Sequence, residues 1–115
     1  MQILESKIES QCCDYALKNY VRSIKLNVQG QTGWPDRLFL FPNKNAVFIE
    51  FKRPGYKPRP KQNFIHTILR NLGFEVYVID NLDRFKHLFK TIQERIANEF
   101  KLTKMESAPL SGESR

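Results

Sequence analysis

Gly33-Trp34-Pro35-Asp36, followed fourteen residues later by Glu50-Phe51-Lys52, is the stretch on which both fold and chemistry turn. The first segment reads as a turn delivering one carboxylate, stiffened by Pro35. The second reads as a strand delivering another carboxylate and an ammonium. Successive strand side chains point to opposite faces. Glu50 and Lys52 therefore share a face with Phe48, while Val47, Ile49 and Phe51 make an apolar face opposite. A strand with a purely structural task rarely aims an acid and a base side by side beneath a hydrophobic sheet. Two acids and a lysine are what metal-assisted hydrolysis of a phosphodiester needs.

Outward from this stretch, residues 37–41 read as one strand, Pro42-Asn43-Lys44-Asn45 as a hairpin turn, and residues 46–52 as the next strand. The hairpin brings Asp36, at the start of one strand, near Glu50, at the end of its antiparallel neighbour. Residues 52–61 hold five basic side chains, no acid, three prolines and Gly55. That composition predicts an exposed cationic loop leaving the strand that carries Glu50, suited to gripping backbone phosphates. Within it Arg53, Lys57, Arg59 and Lys61 are candidate nucleic-acid contacts, and Tyr56 could add a stacking contact. Residues 61–72 have helical spacing, with Phe64, Ile65, Ile68, Leu69 and Leu72 expected on one face and Gln62 at its edge, within reach of the acids. His66 and Arg70 follow at i+4 and i+8 and are expected to extend the basic surface. Gly73 is a left-handed stop. Residues 74–79 form the last strand, with Phe74, Val76 and Val78 opposite Glu75, Tyr77 and Ile79. Asp80 is expected to cap a final helix over 82–100 whose buried stripe is Leu82, Phe85, Phe89, Ile92 and Ile96.

Upstream, residues 3–20 predict a helix with an apolar stripe of Leu4, Ile8, Cys12, Cys13, Ala16 and Tyr20. Glu5 and Glu9 project inside that stripe. Glu5 lies in the first turn, where solvent and the helix dipole favour it. Glu9 is a full turn further in, and a carboxylate facing a core needs a partner, a metal or water. A peripheral Glu9 making an i,i−4 or i,i+4 contact is the alternative. Residues 22–28 predict a first strand with Ile24, Leu26 and Val28 on one face, and residues 29–33 a glycine-bearing loop. The loop glycines either let backbone approach a phosphate or only permit a turn. Trp34, the sole tryptophan, either stacks on a base at the mouth of the site or packs in the core.

The chain has 115 residues, 41% hydrophobic and 27% charged, the make-up of one globular domain. Nineteen Lys and Arg against twelve Asp and Glu leave a net charge of +7, which favours a polyanionic partner. The two cysteines, Cys12 and Cys13, are adjacent, which suits neither a disulfide framework nor a zinc site. They read as small buried hydrophobes of a reducing compartment. No run of about 18 apolar residues suggests a membrane span, and the first residues do not resemble a signal peptide. The expectation is a cytoplasmic protein, in a host cytoplasm if phage-encoded, that is not secreted. Its folded domain would span 1–101, with an unstructured tail over 102–115.

Pro35-Asp36 followed by Glu50-x-Lys52 resembles the PD-(D/E)xK nuclease superfamily. The wider context of Gly33-x-Pro35-Asp36, Glu50-Phe51-Lys52-Arg53-Pro54-Gly55, Gln62 and Asn71-Leu72-Gly73-Phe74 resembles its VRR-NUC branch, the virus-type replication-repair nucleases, and especially small stand-alone phage members. The resemblance covers roughly residues 3–90. It implies an α/β fold with a restriction-endonuclease-like core, a four-stranded mixed sheet flanked by helices in the order αβββαβα. It implies Mg²⁺ or Mn²⁺ held by Asp36, Glu50, the Phe51 backbone carbonyl and a first-helix glutamate. Glu9 is the choice for that last ligand, with Glu5 left open. One metal ion or two is also left open. Lys52 would orient the nucleophile or stabilise developing charge, and Gln62 would support the attacking water or the phosphate. The implied activity is a DNA endonuclease that selects structure over sequence. Branched DNA such as a four-way (Holliday) junction, cut by a homodimer, is favoured because a chain this short has no room for separate recognition domains and two symmetric cuts take two sites. Flap cleavage, sequence-specific duplex cleavage and a catalytically idle nucleic-acid-binding module are the alternatives.

Overall fold

The computed structural model describes residues 4–107 and runs α1 (Glu5–Lys18), β1 (Arg22–Lys25), β2 (Arg37–Phe41), β3 (Asn45–Phe51), α2 (Pro60–Asn71), β4 (Glu75–Ile79) and α3 (Leu82–Ser107). This is the expected αβββαβα order. The strands form one sheet in the order β1-β2-β3-β4. The first three pair antiparallel, and β3 pairs parallel with β4, so α2 is the crossover that a parallel connection requires. The sheet is therefore mixed. Helices α1 and α3 cover one face and α2 the other.

Strand β3 is buried on both sides. Its apolar face, Val47, Ile49 and Phe51, joins Ile8, Cys12 and Ala16 of α1 and Phe85, Phe89, Ile92 and Ile96 of α3 in the main core. Aromatic rings fill the centre: Tyr15 meets Phe89 edge-on at 5.2 Å, and Phe39 lies 5.2 Å from Phe85. A smaller core of Phe48, Leu69 and Val76, flanked by Trp34, Leu38 and Ile65, packs beneath α2. Trp34 is thus half-buried against the smaller core, and its indole N–H donates to Gln31 Oε1 at 2.8 Å. Cys12 is buried and Cys13 partly so, and both are free thiols.

Helix α1 stops in a Schellman arrangement in which Tyr20, not a glycine, takes the left-handed position at φ 65°. Tyr20 N bonds Leu17 O, and Val21 N bonds Ala16 O. Tyr20 and Leu4, expected in the buried stripe, are 94% and 60% exposed, because the helix is shorter at both ends than its periodicity suggested. Residue 3 of the expected helix lies outside the described residues. Strand β1 likewise ends at Lys25, not at 28, with one further bond in the ladder's register, from Leu26 N to Asp36 O.

On α2 the expected face is rotated. The buried residues are Gln62, His66 and Leu69, whereas Phe64, Ile68 and Leu72 are 63%, 40% and 69% exposed. Two polar side chains hold inward positions that hydrophobicity alone assigns to their neighbours. The cap of α3 is Asn81, whose Oδ1 accepts from Arg84 N at 2.8 Å, while Asp80 pairs with the Arg84 guanidinium. Helix α3 continues to Ser107 where an unstructured tail from 102 was expected. Residues 102–107 carry no apolar periodicity, and the helix is extended by Leu, Lys, Met and Glu, good intrinsic formers. The rest of that tail, 108–115, lies outside the described residues.

Candidate active site

Asp36 stands where the 26–36 loop enters β2, and the hairpin fixes it there. Its N–H bonds Ile49 O at 3.0 Å, and its Oδ2 accepts from Phe51 N at 2.7 Å. The expected approach of Asp36 to the Glu50 strand end is present, with the carboxylate clamped on the backbone between Glu50 and Lys52. Lys52 follows directly after β3, where its N–H bonds Ile79 O.

Glu50 and Lys52 leave the α2 face of the sheet and are almost wholly enclosed, 2% and 7% exposed. Three groups approach the Glu50 carboxylate. Gln62 Nε2 donates to Oε2 at 2.8 Å, Lys52 Nζ stands 3.7 Å from Oε2, and His66 Nε2 lies 3.5 Å from Oε1. Gln62 is fixed in turn, because its Oε1 accepts from Arg59 N at 2.8 Å and closes the first turn of α2. The sequence placed Gln62 within reach of the site. The structure shows it holding a carboxylate.

Burial pushes the Glu50 carboxyl up to about 7, with the neighbouring Asp36 charge adding to the rise. Burial also raises Asp36, against the hydrogen bond from Phe51 N. Two carboxylates out of water beside one another are costly unless positive charge arrives. Glu50 Oε1, moreover, is buried with no hydrogen-bond partner. The ligands that the resemblance implies, Asp36, Glu50 and the Phe51 carbonyl, are all oxygen donors, which a hard divalent cation such as Mg²⁺ prefers. Among the described residues no group of three or more His, Cys, Asp and Glu side chains closes a metal cage. An open site with few protein ligands suits Mg²⁺, which commonly keeps several waters. The residues present therefore fit such an ion.

Glu9, expected as the first-helix ligand, is held in an ion-pair network. Its Oε2 accepts from Arg37 Nε at 2.6 Å and from Lys25 Nζ at 2.8 Å. Burial works to raise its carboxyl, but the two cations outweigh it and hold Glu9 below the usual carboxylate range. The contact is not the local i,i±4 one: Glu9 projects inward and is met by cations that only the sheet supplies. Both α1 carboxylates act on Asp36, Glu9 more strongly than Glu5, and Glu5, one turn earlier, acts on Glu50 as well. It lines a cleft with Leu4, Ser6 and Arg53.

Among the basic residues, Lys57, Arg59 and Lys61 are exposed and Arg53 partly so. Arg59 and Lys61 line a cleft of about 490 Å³ with Thr32, Gly33 and Gln62. The Arg53 guanidinium lies 4.3 Å over the Tyr56 ring. Arg70 points elsewhere and donates to Val76 O at the sheet edge. His66, expected on the basic surface, is 1% exposed beneath Glu50 and cannot touch a phosphate. Its error is the same rotation of α2, which the inward Gln62 one turn earlier could have revealed. Gly33 serves the fold: a Cβ there would lie 2.7 Å from Lys61 O, so the loop backbone packs directly on α2.

Compared with known proteins, the chain is 38% identical over 81 residues to "Putative nuclease p44" of Acyrthosiphon pisum secondary endosymbiont phage 1, covering 70% of this chain and 87% of that protein. A solved structure described as "VRR_NUC domain" superposes with a TM-score of 0.71 and 25% identity, over 75% of this chain and 94% of its own. The chain belongs to the VRR-NUC nuclease family. A second solved "VRR_NUC domain protein", 15% identical with a TM-score of 0.63 over 78% of this chain and 88% of its own, shares the fold of this VRR-NUC domain. No protein-family model matches the sequence.

Proposed function

We propose that this VRR-NUC domain is a metal-dependent, structure-selective DNA endonuclease that hydrolyses phosphodiester bonds in branched DNA, four-way junctions above all, as a homodimer. The observation that carries the reading is Glu50. A carboxylate 2% exposed, with one oxygen unsatisfied, beside Asp36 and Lys52 and below a cationic loop, serves no structural need.

Asp36, Glu50 and the Phe51 carbonyl would hold Mg²⁺ or Mn²⁺, with Glu5 in place of Glu9 as the first-helix carboxylate. When bound, such an ion supplies positive charge to the phosphate and acidifies the attacking water. Lys52, held beside Glu50, is placed to stabilise the negative charge that develops on the phosphoryl oxygens. Gln62 keeps the Glu50 carboxylate in position. Lys57, Arg59 and Lys61, with Arg53, draw the DNA backbone toward the site by charge, without reading bases. Support for a second copy comes from apolar side chains left open on the α2 side: Ile24 and Leu40 on the sheet, and Phe64, Ile68 and Leu72 on the helix.

The test is cleavage of a synthetic four-way junction, a flap, a linear duplex and a single strand with Mn²⁺ or Mg²⁺, beside light scattering for mass. The expected result is junction cleavage by a dimer, abolished in Asp36→Asn and reduced at least a hundredfold in Lys52→Ala. Junction binding without cleavage under either ion identifies a binding module instead, and discrete cuts in linear duplex identify a sequence-specific nuclease.

A further inference from the structure

Glu50 is gripped from one helix. Gln62 and His66 stand one turn apart on the inner side of α2, and each faces a different oxygen of the same carboxylate. Gln62 Nε2 donates to Oε2 at 2.8 Å, and His66 Nε2 stands 3.5 Å from Oε1. With His66 1% and Glu50 2% exposed, neither DNA nor bulk water reaches this contact. Among the described residues, Glu50 Oε1 and His66 Nε2 are both buried without a hydrogen-bond partner. They face one another only a few tenths of an ångström beyond ordinary N–H···O reach, which ends at about 3.2 Å. Leaving either atom unsatisfied is unfavourable, and closing the gap satisfies both.

We propose that His66 is a positioning residue for the Glu50 carboxylate. With its proton on Nε2 it donates to Oε1 and, together with Gln62 on Oε2, fixes the rotation of the carboxylate. Each carboxylate oxygen accepts at more than one lone pair, so both keep one for a cation. Such outer partners commonly orient metal-ligating carboxylates. An apolar side chain at position 66 would leave Oε1 unheld and the carboxylate free to turn. His66 then acts neither on DNA nor as a general base. The consequence for metal affinity rests on Glu50 being a ligand. The hydrogen bond itself does not.

Imidazole ¹⁵N–¹H correlation spectra of the metal-free protein test the contact directly, with His66→Gln assigning the signal against His87. The expected spectrum shows His66 protonated on Nε2, with a resonance that moves in Glu50→Gln. A proton on Nδ1 with Nε2 bare, or a resonance indifferent to Glu50→Gln, overturns the proposal. Mn²⁺ titration calorimetry and junction cleavage then compare His66→Leu with His66→Gln, whose amide keeps a donor at similar reach. His66→Leu is expected to weaken Mn²⁺ binding at least fivefold and kcat at least tenfold while KM for DNA stays within twofold, and His66→Gln to restore most of both. Equal Mn²⁺ affinity and kcat in wild type and His66→Leu, or equal losses in Leu and Gln variants, also overturn it. The expected spectrum in a protein that binds no Mn²⁺ and cuts no DNA leaves the positioning contact standing and sinks the nuclease assignment instead.

Discussion

Glu50 ties stability to pH in a direction set by its burial. Its carboxyl is raised from about 4.5 to about 7 in the folded domain. The folded state therefore binds more protons than the unfolded one between those values, and the metal-free domain loses stability as pH rises through that window. At about 1.4 kcal/mol per tenfold change in proton affinity, the loss is roughly 3 kcal/mol. Asp36, raised for the same reason, acts in the same direction. Glu50→Gln is thus expected to melt higher than wild type at pH 8 in EDTA and close to it at pH 4.5, with saturating Mn²⁺ narrowing the difference at pH 8. A Glu50→Gln protein that melts below wild type at pH 8 would show that the carboxylate's bonds outweigh its desolvation. Gly33 is the other residue with a sharp expectation. Its φ of 95° and the 2.7 Å approach of a Cβ to Lys61 O predict that Gly33→Ala costs about 2–4 kcal/mol in denaturant unfolding.

The two Schellman ends offer a matched comparison at the level of the helix. At Gly73, φ 96°, the chain uses the residue that suits a left-handed cap, and the sequence announced it. At Tyr20, φ 65°, it uses one that does not, and nothing in the sequence marked the stop. Tyr20→Gly is expected to stabilise the domain by about 0.5–1 kcal/mol and Gly73→Ala to destabilise it by about 1 kcal/mol. Chemical denaturation of the pair checks both signs. Helix α3 carries the larger stake. Phe89 is fully buried among Tyr15, Phe41 and Phe85, so Phe89→Ala is expected to cost about 3–5 kcal/mol. The α3 stripe was legible because Phe85, Phe89, Ile92 and Ile96 are large and periodic. The α2 face was not, because Gln62 and His66 face inward to a carboxylate while Phe64 and Leu72 face out.

Over the whole molecule the charge of +7 is unevenly spent. Lys25 and Arg37 are committed to Glu9, Arg70 to the Val76 carbonyl and Arg95 to Glu75. Lys57, Arg59 and Lys61 are the exposed cations beside the site. Lys57→Ala combined with Arg59→Ala is therefore expected to reduce the slope of log K against log salt for junction binding by about 1.8. Arg95→Ala, remote from the loop, is expected to leave the slope unchanged. Fluorescence anisotropy between about 50 and 200 mM salt, over which the Debye length falls by about half, reads both.

The order of elements, the hairpin and the placement of Asp36, Glu50 and Lys52 follow from local rules: alternation on a strand, a tight turn, helical periodicity. Those rules act over a few residues, so the linear chain carries them. The partners of Glu9 and the inward turn of His66 depend on which side chains from distant elements arrive at the same place. A buried carboxylate or imidazole is stable only where its complement is waiting, and that complement is set by how the helices pack on the sheet.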